Sequence, residues 1–182
     1  ADMMQKGIGG KVVRFHVLAN SDSEADQALK LAVRDRVLQE YGDLLETCTS
    51  KEETLAALKN AQQEISETAE AEVLAQGYTY PVRVSLVREE FPFKKYGDLI
   101  FPAGVYDALR IEIGEAKGKN WWCVLYPQMC YVDAAWGYST EESHVRLQNT
   151  LTKEEFLVVS AMEQKKVTPK IKCRLVELWS ER

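Results

Sequence analysis

The sequence is short of most residues that catalysis and metal binding draw on. It has only two histidines, His16 and His144, in 182 residues. They lie far apart, and no HxH, HExxH or carboxylate cluster of ligand spacing accompanies them, which argues against a metal centre. There are four cysteines, Cys48, Cys123, Cys130 and Cys173, and no CxxC pair. The spacing of Cys123 and Cys130 is too wide for a redox motif and is not that of a zinc ribbon. No GxGxxG opens a βαβ unit. The run Gly114 to Asn120 is one residue short of a phosphate-binding GxxxxGK[ST], and Asn120 stands where a hydroxyl would hold magnesium. Its glycines are better explained by a hairpin turn that needs positive φ. No cofactor is therefore expected. Positive charge is also scarce: the net charge of −5 weakens any case for nucleic-acid binding. No run approaches the roughly 18 to 20 apolar residues of a membrane helix, so no direct membrane insertion is expected. No signal peptide is visible, but one could have been removed, so the compartment stays open.

What is present fits one globular domain. Apolar residues make up 46% and charged residues 28% of the chain, enough to bury a core without disulfide staples. Residues 1–10 read as a flexible start, and residues 11–182 as a single α+β domain. From Lys11 to Ala19 the pattern alternates: Val13, Phe15, Val17 and Ala19 share one face, and Arg14 and His16 share the other. Ser21 and Glu24 have capping-box spacing, which predicts a helix from about Asp22 to Tyr41, with Gly42 as its stop. Ser50 and Glu53 open a second predicted helix ending near Gly77. Strand-like alternation then covers 78–88, 105–113 and 121–126. Residues 89–101 form a loop or an irregular hairpin arm. Thr152 and Glu155 predict a short helix around Phe156, and 170–178 a closing strand. The expected fold is α+β: an N-terminal strand, two helices, then a mostly antiparallel sheet.

Three groups of residues invite a functional reading, each beside a plainer one. Arg14 and His16 share a strand face, with Asn20 and Asp22 at its exit. Polar groups gathered where a strand meets a helix start can form a site. Helix capping alone accounts for Asn20 to Asp22 but not for Arg14 and His16. Cys123 with His16 or His144 would be a thiol–base pair, but its apolar strand lacks the cationic setting that a thiolate needs. Trp121 and Trp122 are adjacent, so they point to opposite sheet faces; one is expected in the core and the other on the surface. Recognition, where tryptophan is enriched, and core packing are both open for them. The four cysteines are compatible with bridges or with free thiols.

The segments RFHVLANSDSEADQALKLAVRD (14–35), FPFKKYGDLIFPAGVYDALRIEIG (91–114) and GEAKGKNWWCVLYPQMCYVD (114–133) resemble the stage II sporulation protein R family of endospore-forming bacteria. The resemblance covers about 12–133. As departures, Ala116 stands where the family commonly has Gly, and Gln128 near where it has Pro. The resemblance implies a secreted signal and not an enzyme. Such a protein is exported from the forespore into the space between the two membranes around it. There it activates, by binding, a membrane-embedded aspartic protease of the mother cell, through that protease's extracytoplasmic part. The protease then cleaves the sigma factor E precursor. The residues expected to bind are Arg14, His16, Asn20, Asp22, Lys119, Asn120, Trp121 and Trp122. With this role goes an expected Cys123–Cys130 disulfide, contributing about 2 to 3 kcal/mol by loop closure. Cys48 and Cys173 are candidates for a second bridge. The alternative is an exported hydrolase or cell-wall-modifying enzyme with a site near Arg14, His16 and Asn20.

Overall fold

The structure is a computed structural model that describes residues 2–130 and 141–161. A four-stranded sheet forms its centre. Its strands are β1 (Val13–Leu18), β2 (Val82–Phe91), β5 (Gly104–Ile113) and β6 (Asn120–Tyr126), in the order β2-β5-β1-β6. β2 runs antiparallel to β5, and β6 antiparallel to β1; β1 and β5 are parallel. The fold is thus the expected α+β, with one parallel pair at the middle of a mostly antiparallel sheet. β3 (Lys94–Tyr96) and β4 (Leu99–Phe101) form a separate hairpin between β2 and β5. Gly97, at φ +61, makes its turn.

The sheet is covered on both faces. On one lie α2 (Glu24–Glu46), α3 (Lys51–Asn60) and α4 (Gln62–Ala75). Val13, Phe15 and Val17 of β1 meet Leu29, Val33, Val37, Ile65 and Ala69 there. On the other lie the β3–β4 hairpin, α1 (Asp2–Lys11), α5 (Glu141–Thr150) and α6 (Lys153–Ala161), around Ile8, Phe91, Phe101, Tyr106, Val124 and Leu147. Both faces of β1 are therefore covered, with Val13–Val17 buried and Leu18 half-buried.

The local capping signals hold at two helices and shift at a third. Ser50 caps α3 and Thr152 opens α6, each accepting from the backbone N–H three residues on (3.1 and 3.2 Å). α2, however, starts two residues later than expected. Ser23 is its cap, accepting from the Asp26 N–H at 3.1 Å, because the Ser21 hydroxyl is committed to the Asp26 carboxylate at 2.5 Å. α2 also runs through Gly42 to Glu46, since Gly42 is buried inside the helix and Leu45 packs in the core beyond it. The single second helix divides at Ala61 into α3 and α4. Gly77 does end α4 with positive φ.

Residues 2–11 form α1 where a flexible start was expected. Ile8 is fully buried, and the Gly9 carbonyl accepts a 2.8 Å bond from the buried Lys51. The glycines here serve close approach: a Cβ on Gly9 would press into the Val105 carbonyl. The closing strand expected at 170–178 lies outside the described residues.

Candidate functional site

The two motif segments fold onto each other at the end of β1. Asn20 accepts the Glu115 N–H through Oδ1 (2.9 Å), and Asp22 accepts the Lys119 N–H through Oδ1 (2.7 Å). Backbone bonds from Lys117 to the Asn20 carbonyl (3.2 Å) and from Gly118 to the Ala19 carbonyl (2.9 Å) complete the contact. The glycines of the loop are required by this closeness. A Cβ on Gly114, at φ +59, would overlap the Asn20 amide, and one on Gly118 would overlap the Ser21 carbonyl. Beneath sits Asp26, 4% exposed, which accepts from Asn20 (2.9 Å) and Ser21 (2.5 Å). Those bonds, Ser21's first, hold its carboxyl below the ordinary carboxylate range. Lys30, 5% exposed, reaches up to the Lys119 carbonyl at 3.0 Å, and burial lowers its pKa. Asn20 and Asp22 thus act first as a latch that shapes the loop ahead of β6.

Arg14 and His16 lie on the hairpin side of β1, and both are buried, Arg14 fully. His16 keeps only 3% exposure. The Arg14 guanidinium sits 4.9 to 5.8 Å from the ring centres of Phe91, Tyr96, Phe101 and Tyr106. It donates to the Cys123 carbonyl (3.1 Å) and the Tyr96 hydroxyl (2.8 Å). Ser85, Arg110, His16 and Trp122 stand side by side across all four strands. The His16 ring stacks on Trp122 at 4.8 Å and 13°. Its Nε2 is 2.5 Å from Glu89 Oε1, outside hydrogen-bond geometry. Arg110 pairs with the same Glu89 at 3.0 Å. Burial, then the Arg110 charge, lowers the His16 pKa to about 4, so the imidazole is neutral at pH 7. Ser85 is no nucleophile for His16, because β5 separates their strands by two interstrand spacings, about 9.5 Å.

The tryptophans point to opposite faces, as expected, but both are half-buried. Trp121 meets Phe15 edge-on and carries Arg34 over its ring at 4.7 Å. Trp122 lies against His16 and Phe91, with the Lys94 ammonium 5.3 Å above it. Cys123 and Cys130 form a disulfide with a Cα separation of 5.6 Å, which closes the chain back on β6. Cys48 is half-buried and bridges to no described residue; Cys173 lies outside them.

The structure therefore brings Asn20, Asp22, Lys119 and Asn120 together at one end of the sheet, flanked by the two tryptophans. Arg14 and His16 lie below, inside the molecule. Asn20, half-buried four residues beyond His16, spends its side chain on Asp26 and the Glu115 N–H and not on Arg14 or His16. Among the described residues there is no group of His, Cys, Asp and Glu fit to hold a metal, and no helix long and apolar enough to cross a membrane. Sequence reasoning missed Asp26, Glu89 and Arg110. The Ser23–Asp26 spacing was a signal for the first. Nothing local marked the others, whose meeting with His16 depends on strand register.

A family model described as Stage II sporulation protein R matches residues 9–136. The chain belongs to that family. It is 32% identical over 184 residues to the stage II sporulation protein R of Bacillus subtilis (strain 168), covering 96% of this chain and 82% of the relative. No solved structure matches. The part matched by the stage II sporulation protein R family contains the whole sheet, the latch, both tryptophans and the disulfide; α5 and α6 lie beyond it.

Proposed function

We propose that this chain is a secreted forespore signal that works by binding. It acts in the space between the forespore and mother-cell membranes. Its partner is the extracytoplasmic part of the membrane-embedded aspartic protease that processes the sigma factor E precursor, and binding favours the protease's active state. Family membership supports the sporulation role, and the disulfide suits an oxidising space.

The two half-exposed tryptophans carry the reading of a binding surface. They are fixed on one edge strand by the latch on one side and the disulfide on the other. Rigid aromatic anchors of this kind dominate protein interfaces. Asp22 and Lys119 are exposed beside them, and Asn120 is half-buried. Arg14, His16 and Asn20 set that surface from beneath. Purified chain added to the protease in reconstituted membranes should start precursor cleavage. Trp122→Ala should weaken binding and cleavage together by at least tenfold, about 1.4 kcal/mol. Failure of the unmodified chain to stimulate cleavage would sink the proposal.

One observation favours the rival hydrolase: His16 touches Glu89 beside polar atoms that have no hydrogen-bond partner. His16→Gln separates the two readings. Signalling lost with protease binding intact would indicate chemistry, whereas a joint loss indicates an interface. The 3% exposure of His16 stands against substrate access.

A further inference from the structure

Among the described residues β6 is an edge strand, and half of its outer edge has no described partner. It pairs with β1 alone among the described strands. In an antiparallel ladder, alternate residues turn both backbone groups toward or away from the neighbour. The Val124 carbonyl faces outward, since it accepts the Met129 N–H at 3.1 Å from the disulfide-closed turn. By that alternation, Trp122 and Asn120 also turn their N–H and C=O groups outward. The turn that covers Val124 stops short of them, and no described residue pairs with those groups. The disulfide loop thus blunts one end of the edge and leaves the Asn120–Trp122 end without a described partner.

This end is not neutral. Lys119 immediately precedes it, and Lys94 stands over Trp122. Neither lysine forms an ion pair with a described residue. Arg34 lies over Trp121 on the opposite face. The buried Oδ1 of Asn120 also has no hydrogen-bond partner. Natural sheets protect exposed edges because an open one templates strand pairing. Here the protection ends at two tryptophans and at two lysines that no described carboxylate pairs.

We propose that the outer edge of β6 at Asn120–Trp122 receives an extended, acidic segment of the protein partner as an added strand. Backbone bonds to Asn120 and Trp122 supply register, the lysines select carboxylates, and the tryptophans cover the added strand from both faces. This rests on the signalling reading above and specifies how that surface engages.

The test compares Asn120→Pro with Asn120→Ala for binding to the purified extracytoplasmic part of the protease. Both change the side chain, but only proline removes the outward N–H, and an edge position tolerates it. Asn120→Pro should bind at least ten times more weakly than Asn120→Ala. Equal affinities overturn strand addition while leaving the signalling reading standing. No binding by the unmodified chain overturns both. Hydrogen exchange on the unmodified chain covers the case in which the proline variant does not fold. The Trp122 amide should exchange freely alone and at least tenfold more slowly in the complex. Protection already present in the free chain, or appearing with its own concentration, assigns the edge to this chain or to a second copy and overturns the proposal. Lys119→Glu should weaken binding about fivefold; an unchanged affinity overturns the acidic character of the partner.

Discussion

One face of β1 carries Val13, Phe15 and Val17 against α2 and α4; the other carries Arg14 and His16 beneath the β3–β4 hairpin. Phe15 and Arg14 are both fully buried, yet their needs differ. An apolar side chain is satisfied by any close-packed apolar neighbour. A buried guanidinium needs specific partners, and Arg14 has a carbonyl, a phenol and four ring faces. Even so, Arg14 Nη1 and both His16 ring nitrogens lack a hydrogen-bond partner. Burying such groups adds little net stability while restricting what can cover them. The apolar face holds the fold together. The polar face fixes where the hairpin, Trp122 and the edge strand sit.

That contrast can be broken directly. Phe15→Ala should cost about 4 kcal/mol in urea unfolding, from lost burial plus a cavity. Arg14→Met keeps the volume and removes the buried charge, so it should change stability by only about 1 kcal/mol. The reverse order would show that the polar face is the main source of stability. Acid gives the next largest effect. With its folded pKa lowered to about 4 from 6.5, His16 takes up a proton more readily in the unfolded chain. Stability should therefore fall as pH drops from 6.5 toward 4, by up to about 3 kcal/mol. His16→Gln should remove that component; equal pH slopes for both chains would mean that His16 is hydrated. A smaller effect than the acid one tests the latch. Gly118→Ala forces a Cβ into the Ser21 carbonyl and should cost about 2 kcal/mol. A neutral result would mean that the loop is free to move off Asn20 and Asp22.

Legibility followed the range of the interactions. The strand at Val13–Leu18 and the caps at Ser50 and Thr152 rest on neighbours within a few residues, so they could be read directly. α1 could not. Its glycines suggest freedom in isolation, and only the nearness of Val105 shows that they serve packing. The burial of Arg14 likewise depends on Phe91, Phe101 and Tyr106, far along the chain. The exposure of the candidate binding residues was partly legible. Asp22 and Lys119 are exposed, but Asn20 is half-buried and spends its side chain on Asp26 and the Glu115 N–H.

By itself the sequence determined the alternation of β1, the opposite facing of Trp121 and Trp122, the α+β class, and the motifs that mark the stage II sporulation protein R family. These follow from side-chain period and residue identity, which are local. Only the tertiary structure decided that the two motifs latch together, that Arg14 and His16 turn inward, and that β6 lies at an edge of the described sheet. Strand order and register join residues about 100 positions apart, and no local pattern encodes which strands become neighbours.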